Sequence, residues 1–167
     1  RLIAQGRFDD AYMVNRDSNV FPGILGRTCD RPCEPACRRG RVEEDPVAIC
    51  RLKRVAADNK DSIADRLPDI PKRKNGKKIA CIGAGPASLT VARDLMPLGY
   101  DIDIFDNQIA GGGMMRSQIP SFRLPESVLD EEVTLPASRA GAREAEPTEP
   151  SMSQLPGSPL PTPPISP

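Results

Sequence analysis

The chain has 167 residues, 23 basic and 23 acidic side chains, and no histidine. The neutral charge balance predicts neither a nucleic-acid nor an anionic-membrane partner, and the lack of histidine excludes Ser-His-Asp catalysis and imidazole-dependent zinc sites. Five cysteines, with no signal-peptide pattern and no apolar run of membrane-spanning length, predict a cytoplasmic protein whose cysteines serve metal or redox chemistry.

The first 65 residues are predicted to be helical on both sides of a cysteine segment. An apolar stripe at helical spacing over residues 1–16 predicts the first helix. A second helical pattern starts at Asp45, which we expect to cap a helix with Pro46 at its first position. Residues 66–77 contain prolines and basic side chains and are predicted to form an exposed linker.

Three evenly spaced cysteines lie between these helical patterns. Cys29, Cys33 and Cys37 occur on a Pro-rich stretch, and such thiolates can converge on an iron–sulfur cluster. Three cysteines do not complete a site. Cys50 is a candidate fourth ligand, although its helical position favours a small buried hydrophobe, and Cys81 is predicted to be core. Zinc is a rival metal, but the paired C-x2-C spacing of common zinc sites is absent.

A glycine-rich turn joins a predicted strand to a predicted helix in residues 78–106. The apolar run at 78–82 predicts a buried parallel strand, and the helix from about residue 88 to 98 ends at Gly99, although Pro97 is unfavourable in its last turn. Residues 101–106 predict the next strand. The pattern is typical of a dinucleotide site.

Each role that such a turn requires has a candidate position in this sequence. Gly83 permits the tight turn, Gly85 lets the backbone approach a pyrophosphate, and Ser88 lets helix and strand pack closely. Asp106, 23 residues after Gly83, is placed to accept hydrogen bonds from ribose hydroxyls. A second glycine cluster at residues 111–113 can press a loop against the cofactor. These residues alone leave FAD and NAD as alternatives.

Two separate stretches resemble one known family, the flavin and iron–sulfur electron-input modules of the glutamate synthase small subunit and the N-terminal part of dihydropyrimidine dehydrogenase. Residues 18–58 show its Phe-Pro turn followed by Gly-Arg-x-Cys, Pro-Cys-Glu, Cys-Arg-Arg-Gly, Pro-Val-Ala-Ile and Leu-Lys-Arg. Residues 78–130 show Gly-Ala-Gly-Pro-Ala-Ser, a Phe-acid pair and Ile-Pro-x-Phe-Arg-Leu-Pro. The resemblance covers about the first 133 residues.

The resemblance implies an α-helical iron–sulfur domain over residues 1–65, the linker at 66–77, and an incomplete α/β Rossmann-type FAD-binding domain over 78–133. It implies that Cys29, Cys33 and Cys37 are ligands shared between two 4Fe–4S clusters. The cofactor-binding residues that it implies for FAD are Gly83, Ala84, Gly85, Pro86, Ala87, Ser88, Asp106, Gly112, Gly113, Met114 and Arg123. No catalytic residue is assigned.

By the same resemblance, NAD(P)H gives hydride to FAD, and the clusters relay single electrons to a partner subunit or domain. Several departures from the pattern matter, and one is that Asp106 stands where the family commonly has Glu. We expect further cluster cysteines upstream of Arg1, Lys53 stands where some members have Gln or Glu near a cluster, and the pattern ends after about Val133. We therefore expect no full turnover by this chain alone, because hydride donation requires a nicotinamide site that this chain lacks. A frame change in the coding sequence would explain why the family pattern ends after about Val133.

The last segment has a different composition from the rest of the chain. Residues 134–167 contain nine prolines and no periodicity, which predicts a disordered tail. The alternative function is accordingly a truncated, non-catalytic fragment that acts at most as a binding module, with a polyproline II ligand in this tail.

Overall fold

The structure is a computed structural model and describes residues 1–137. This part of the chain is rich in helix and contains one small parallel sheet. Its elements, in chain order, are α1 (Phe8–Ser18), α2 (Pro22–Thr28), α3 (Ile49–Asn59), β1 (Lys78–Ile82), α4 (Pro86–Leu95), β2 (Asp101–Phe105), α5 (Met114–Ser117) and α6 (Glu126–Ala137). No helix within residues 1–137 is long and apolar enough to cross a membrane.

The predicted first helix is interrupted near its start. Gly6 adopts a left-handed conformation with φ of 71° and closes a short 3-10 turn at Ile3–Gln5, so that α1 begins only at Phe8. Asp9 and Asp10 lie in the first turn of α1, where carboxylates interact favourably with the helix dipole. The prediction over residues 1–16 is therefore wrong for the residues before Phe8, because a glycine with positive φ ends the turn there.

The predicted cap of the second helix is also wrong. α3 begins at Ile49 rather than next to Asp45, and its N-cap residue, Ala48, offers no side-chain hydrogen bond. The amide of Cys50 donates instead to the Glu34 carboxylate at 3.3 Å, so the first turn of α3 is tied to the cysteine segment. A distant carboxylate satisfies this amide, and local sequence rules do not detect such a partner.

The strand, helix and strand of the predicted dinucleotide unit are present. β1 and β2 pair in parallel with Lys78 opposite Asp101. α4 ends at Leu95 and continues as a 3-10 turn through Pro97 to Gly99, whose φ of 84° is left-handed. The tighter turn accommodates the proline that an α-helix would not. A complete Rossmann-type domain is not confirmed, because the described sheet has two strands.

Three further predictions need correction. β1 is mostly exposed rather than buried, since Ile82 keeps 83% of its surface accessible and Cys81 is the one buried member of the strand. A two-stranded sheet leaves the outer side chains without packing neighbours in the described part of the chain. Within the predicted exposed linker, Leu67 is buried against Tyr12, Ala56 and Ile63. The tail predicted from residue 134 begins too early, because α6 extends to Ala137. The remainder of the predicted tail lies outside the described residues.

The main core joins the cysteine half of the chain to the dinucleotide half. Its buried members come from the turn before α2, from α2 and α4, and from the segment ending in α6, namely Phe21, Ile24, Leu89, Leu124, Leu129 and Val133. Burial of such side chains is the dominant favourable contribution to folding. The two halves therefore stabilise each other through shared apolar packing.

A buried carboxylate lies beside this core. Glu132 of α6 is 4% exposed and accepts hydrogen bonds from the Tyr12 hydroxyl at 2.9 Å and from the amides of Gly23 and Ile24 at 2.7 and 3.0 Å. These amides belong to the first turn of α2, where helix N–H groups have no partner within the helix. Glu132 thus caps α2 from the far end of the described chain. We refer to Glu132 with its three donors as the buried clamp.

Candidate functional site

The glycine turn between β1 and α4 presents open backbone. Gly83 has a φ of 88°, and its amide donates to the Phe105 carbonyl at 2.7 Å, which holds the turn against β2. Pro86 occupies the start of α4, and Gly85 before it offers no side-chain cap. A Cβ atom built at Gly83 or Gly85 would meet no atom within 4 Å. The turn therefore leaves room and unused helix amides for an anionic group.

The second glycine cluster packs directly on this turn. The Gly112 amide donates to the Ala84 carbonyl at 2.8 Å, and a Cβ at Gly113 would lie 2.9 Å from the Gly85 Cα. Two backbones at this separation require glycine on the approaching loop. The Arg116 side chain fixes the loop through the Gly111 carbonyl at 2.9 Å and an ion pair with Asp130. Sequence reasoning missed Arg116, because no spacing rule links an arginine to a carbonyl five residues earlier.

Substitution of Gly113 by alanine should open this loop contact. The new Cβ would collide with the Gly85 backbone, and the conformation of Gly113, with φ of 53° and ψ of −130°, is strained for any other residue. We expect the free energy of unfolding to fall by about 1–3 kcal/mol. Chemical denaturation followed by circular dichroism measures this change. Gly76→Ala is the matched control, since Gly76 also has positive φ but no neighbour within 4 Å; an equal loss in both variants would assign the effect to backbone conformation alone.

Asp106 holds the glycine turn in place. One carboxylate oxygen accepts the Ala84 amide, and the other accepts the Gln108 amide at 2.8 Å. These backbone donors, Ala84 first, lower the pKa of Asp106, so the group is a carboxylate at neutral pH. Each oxygen retains a second lone pair, which leaves Asp106 able to accept a hydroxyl hydrogen as well.

Most of the predicted dinucleotide residues are brought together. Residues 83–88, Asp106, Gly112 and Gly113 form one contiguous surface at the ends of β1 and β2. Met114 starts α5 next to this surface and is 72% exposed. Arg123 is exposed in the segment before α6, and no hydrogen bond within residues 1–137 joins its side chain to the glycine turn. The assignment of these residues to a cofactor remains a prediction.

The cysteine segment forms a chain of tight turns after α2. Cys29 caps the C-terminus of α2, and its Sγ accepts the amide of Arg31 at 3.4 Å, which lowers the pKa of the thiol. Arg31 has a φ of 60°, a left-handed conformation that is uncommon outside glycine. The amides of Val47 and Arg39 likewise lower the pKa of Cys37. Cys33 is exposed. Backbone donors aimed at sulfur favour the thiolate form that binds metal.

Cys50 lies beside Cys29. The Cys50 side chain is 3% exposed, and burial, followed by its hydrogen bond with the Cys29 thiol, raises its pKa. Within residues 1–137, no three His, Cys, Asp or Glu side chains converge into a metal-binding group. The donor types fit iron–sulfur ligation, but Cys29, Cys33 and Cys37 are not gathered around one point. The described chain brings together a pair of thiols instead.

A thiol segment next to a dinucleotide turn points to the class of iron–sulfur oxidoreductase subunits. Residues 1–64 match the family described as dihydropyrimidine dehydrogenase domain II, a 4Fe–4S cluster domain. The first 64 residues therefore match the family that the sequence resemblance predicted. The predicted 4Fe–4S cluster is thereby confirmed as the cofactor of the family.

Similar proteins include several oxidoreductase subunits. The chain is 38% identical to the NADP(+)-dependent formate dehydrogenase subunit beta of Moorella thermoacetica, over 78% of this chain and 21% of that protein. It is 34% identical to the NADPH glutamate synthase small chain of Mycobacterium tuberculosis, over 77% of this chain and 26% of that protein. It is 38% identical to the NADPH-Fe(3+) oxidoreductase subunit beta of Geobacter sulfurreducens, over 81% and 20% respectively.

The relatives are much longer than this chain, which spans about a fifth to a quarter of their length. Each of the three names refers to NADP(+) or NADPH. The similarity extends beyond the 4Fe–4S family match into the dinucleotide half, because the aligned regions cover more than three quarters of the chain.

Proposed function

We propose that this chain is the electron-input part of an NAD(P)H-dependent oxidoreductase that passes electrons between FAD and 4Fe–4S clusters toward a partner subunit or domain. The observation that carries the proposal is the order of the two sites on one compact unit. Thiols lie at the C-terminal end of α2, the glycine turn opens α4, and both helices share the main core. Names of relatives that contain NADPH or NADP(+) and the 4Fe–4S family description support the same conclusion.

FAD would supply the conversion between hydride and single-electron transfer. The residues of this chain bind and orient it. The open backbone at Gly83 and Gly85 and the first amides of α4 would face the pyrophosphate, while Asp106 would hold both Ala84 and a ribose hydroxyl. Cys29, Cys33 and Cys37 would bind iron as thiolates. The cytoplasmic location and the domain division at residues 66–77 remain predictions.

Alanine at Gly85 tests the FAD site without disturbing the fold. Gly85 has a φ of −81° and a ψ of −178°, which any residue adopts, and its Cβ would project into empty space. That space is where the pyrophosphate would lie. We expect Gly85→Ala to weaken FAD binding by about tenfold or more, which is about 1.4 kcal/mol, with unchanged unfolding. Flavin fluorescence titration of the purified chain measures the affinity.

Gly40→Ala is the control for this experiment. Gly40 lies in the cysteine segment, and its added Cβ would also meet nothing within 4 Å. The control should bind FAD like the wild type. Wild-type chain that fails to bind FAD, or a Gly85→Ala variant that binds it equally well, would contradict the proposed site.

A further inference from the structure

A cavity of about 350 Å³ lies where α1, the segment at residues 66–70 and the end of α4 meet. Six of the eleven residues that line it are apolar, and the other five are three arginines and two aspartates. The cavity adjoins the C-terminal end of α4, whereas the glycine turn opens the N-terminal end. About 15 Å of helix therefore separates the cavity from the glycine turn.

Two of the three arginines of this cavity already have partners. Arg66 donates to the Asp10 carboxylate at 2.5 Å. Arg93 donates to the Arg16 carbonyl at 2.7 Å and lies 3.6 Å from the Asp94 carboxylate. The third, Arg16, is 6% exposed, and no hydrogen bond or ion pair within residues 1–137 engages its guanidinium. The donors that remain for a ligand are therefore mainly those of Arg16.

The acids that act electrostatically on Arg16 are engaged elsewhere. Glu132 accepts its three hydrogen bonds within the buried clamp, and Asp94 lies next to Arg93. Asp17 follows Arg16 directly on α1, and adjacent residues of a helix do not face each other. Burial, followed by the like charge of Arg93, lowers the pKa of Arg16. A guanidinium stays charged in a protein, so an anion in the cavity would relieve the cost of its unused donors.

We propose that this cavity binds a small organic monocarboxylate, whose carboxylate lies on Arg16 and whose apolar body lies against the apolar wall. A planar guanidinium binds both oxygens of a carboxylate, and the volume is that of a small-molecule site. A phosphate group would bring up to about two negative charges at neutral pH, although only one arginine lacks a partner. The inference goes beyond the proposed function and is independent of it, because the cavity shares no residue with the glycine turn.

Calorimetric titration of the full chain with 1-naphthoate at pH 7 tests this site. The matched ligand is 1-naphthamide, which has nearly the same shape but no charge. We expect the wild type to bind naphthoate at least about tenfold more tightly than naphthamide, because only the carboxylate forms charge-assisted hydrogen bonds with Arg16. Arg16→Gln, with its fold checked by circular dichroism, should lose this preference. Arg51→Gln is the control variant, since Arg51 is exposed on α3 and does not line the cavity; it should keep the preference.

The comparison of the two ligands uses the wild type, so it does not depend on the folding of a variant. Equal affinities for naphthoate and naphthamide, or no binding of either, would overturn the inference. A folded Arg16→Gln variant that retains the preference would overturn it as well, as would an equal loss in Arg51→Gln, which would assign the preference to overall charge. A chain that binds FAD but not naphthoate would leave the proposed function standing.

Discussion

Replacing Glu132 by glutamine should lower the free energy of unfolding by about 2–4 kcal/mol, the largest effect that we expect from a single isosteric change in this chain. The carboxylate accepts three hydrogen bonds in a buried position, and one of its oxygens serves both Gly23 and Tyr12. A glutamine keeps one acceptor oxygen for Gly23 and Tyr12, but its NH2 group would face the amide of Ile24, donor against donor. The Ile24 amide would then be left unpaired, which is costly away from water.

Urea unfolding followed by circular dichroism measures this loss. Glu126→Gln is the matched control, because Glu126 is exposed in the first turn of the same helix. A carboxylate there interacts with the helix dipole by about 0.3–1 kcal/mol, so the control should change the free energy of unfolding by less than about 1 kcal/mol. Equal losses in both variants would refute the importance of the clamp.

The same clamp predicts a pH dependence. Burial raises the pKa of Glu132, and the hydrogen bonds from Ile24, Gly23 and Tyr12 offset only part of that rise. A carboxyl whose folded-state pKa exceeds its unfolded value of about 4.3 contributes stability below that value, and this contribution is lost as pH rises through the folded-state pKa. The stability difference between the wild type and Glu132→Gln should therefore shrink as pH rises from about 4. A difference that grows with pH would contradict this assignment.

Alanine at Gly26 should separate α2 from α3. Its Cβ would lie 2.8 Å from the backbone nitrogen and 3.1 Å from the Cα of Arg54, and backbone atoms cannot move aside as a flexible side chain can. Alanine is the better helix former by about 1 kcal/mol, but overpacking between helices costs about 1–3 kcal/mol, and here we expect the collision to dominate. The unfolding midpoint of Gly26→Ala in urea should accordingly fall below that of the wild type.

Gly40→Ala again provides the comparison for Gly26→Ala. Both glycines lie in helical turns near the cysteines, but only the Gly26 side faces a neighbouring helix. The Gly40 variant should unfold at the wild-type urea concentration. An unfolding midpoint of Gly26→Ala at or above that of the wild type would show that the helices can move apart without cost.

Local rules predicted the dinucleotide unit well. The apolar run of β1, the glycine turn and the left-handed Gly99 each act within a few residues, so their positions could be read from the sequence. The cap of α3 by Glu34 and the cap of α2 by Glu132 could not be predicted in this way. Both depend on carboxylates brought from elsewhere by packing, and nothing in the sequence around Glu132 distinguishes it from an exposed helical glutamate.

The cysteine segment shows the same limit. Even spacing identified Cys29, Cys33 and Cys37 as metal-ligand candidates, and the helical position of Cys50 indicated burial, which the structure bears out. Its proximity to Cys29 was not predictable, because it follows from the way α2 crosses α3 at Gly26. Spacing along a chain indicates donor types, whereas helix packing decides which donors meet.

The distance along the chain between α2 and its cap has a consequence for biosynthesis. The amide of Gly23 leaves the ribosome 109 residues before the carboxylate that accepts its hydrogen bond. At translation rates of about 5–20 residues per second, the first turn of α2 lacks its Glu132 cap for roughly 5–20 seconds. During that interval the cysteine segment is attached to a helix that is not yet fixed at its start. The cysteine segment is thus made before the carboxylate that anchors its neighbouring helix.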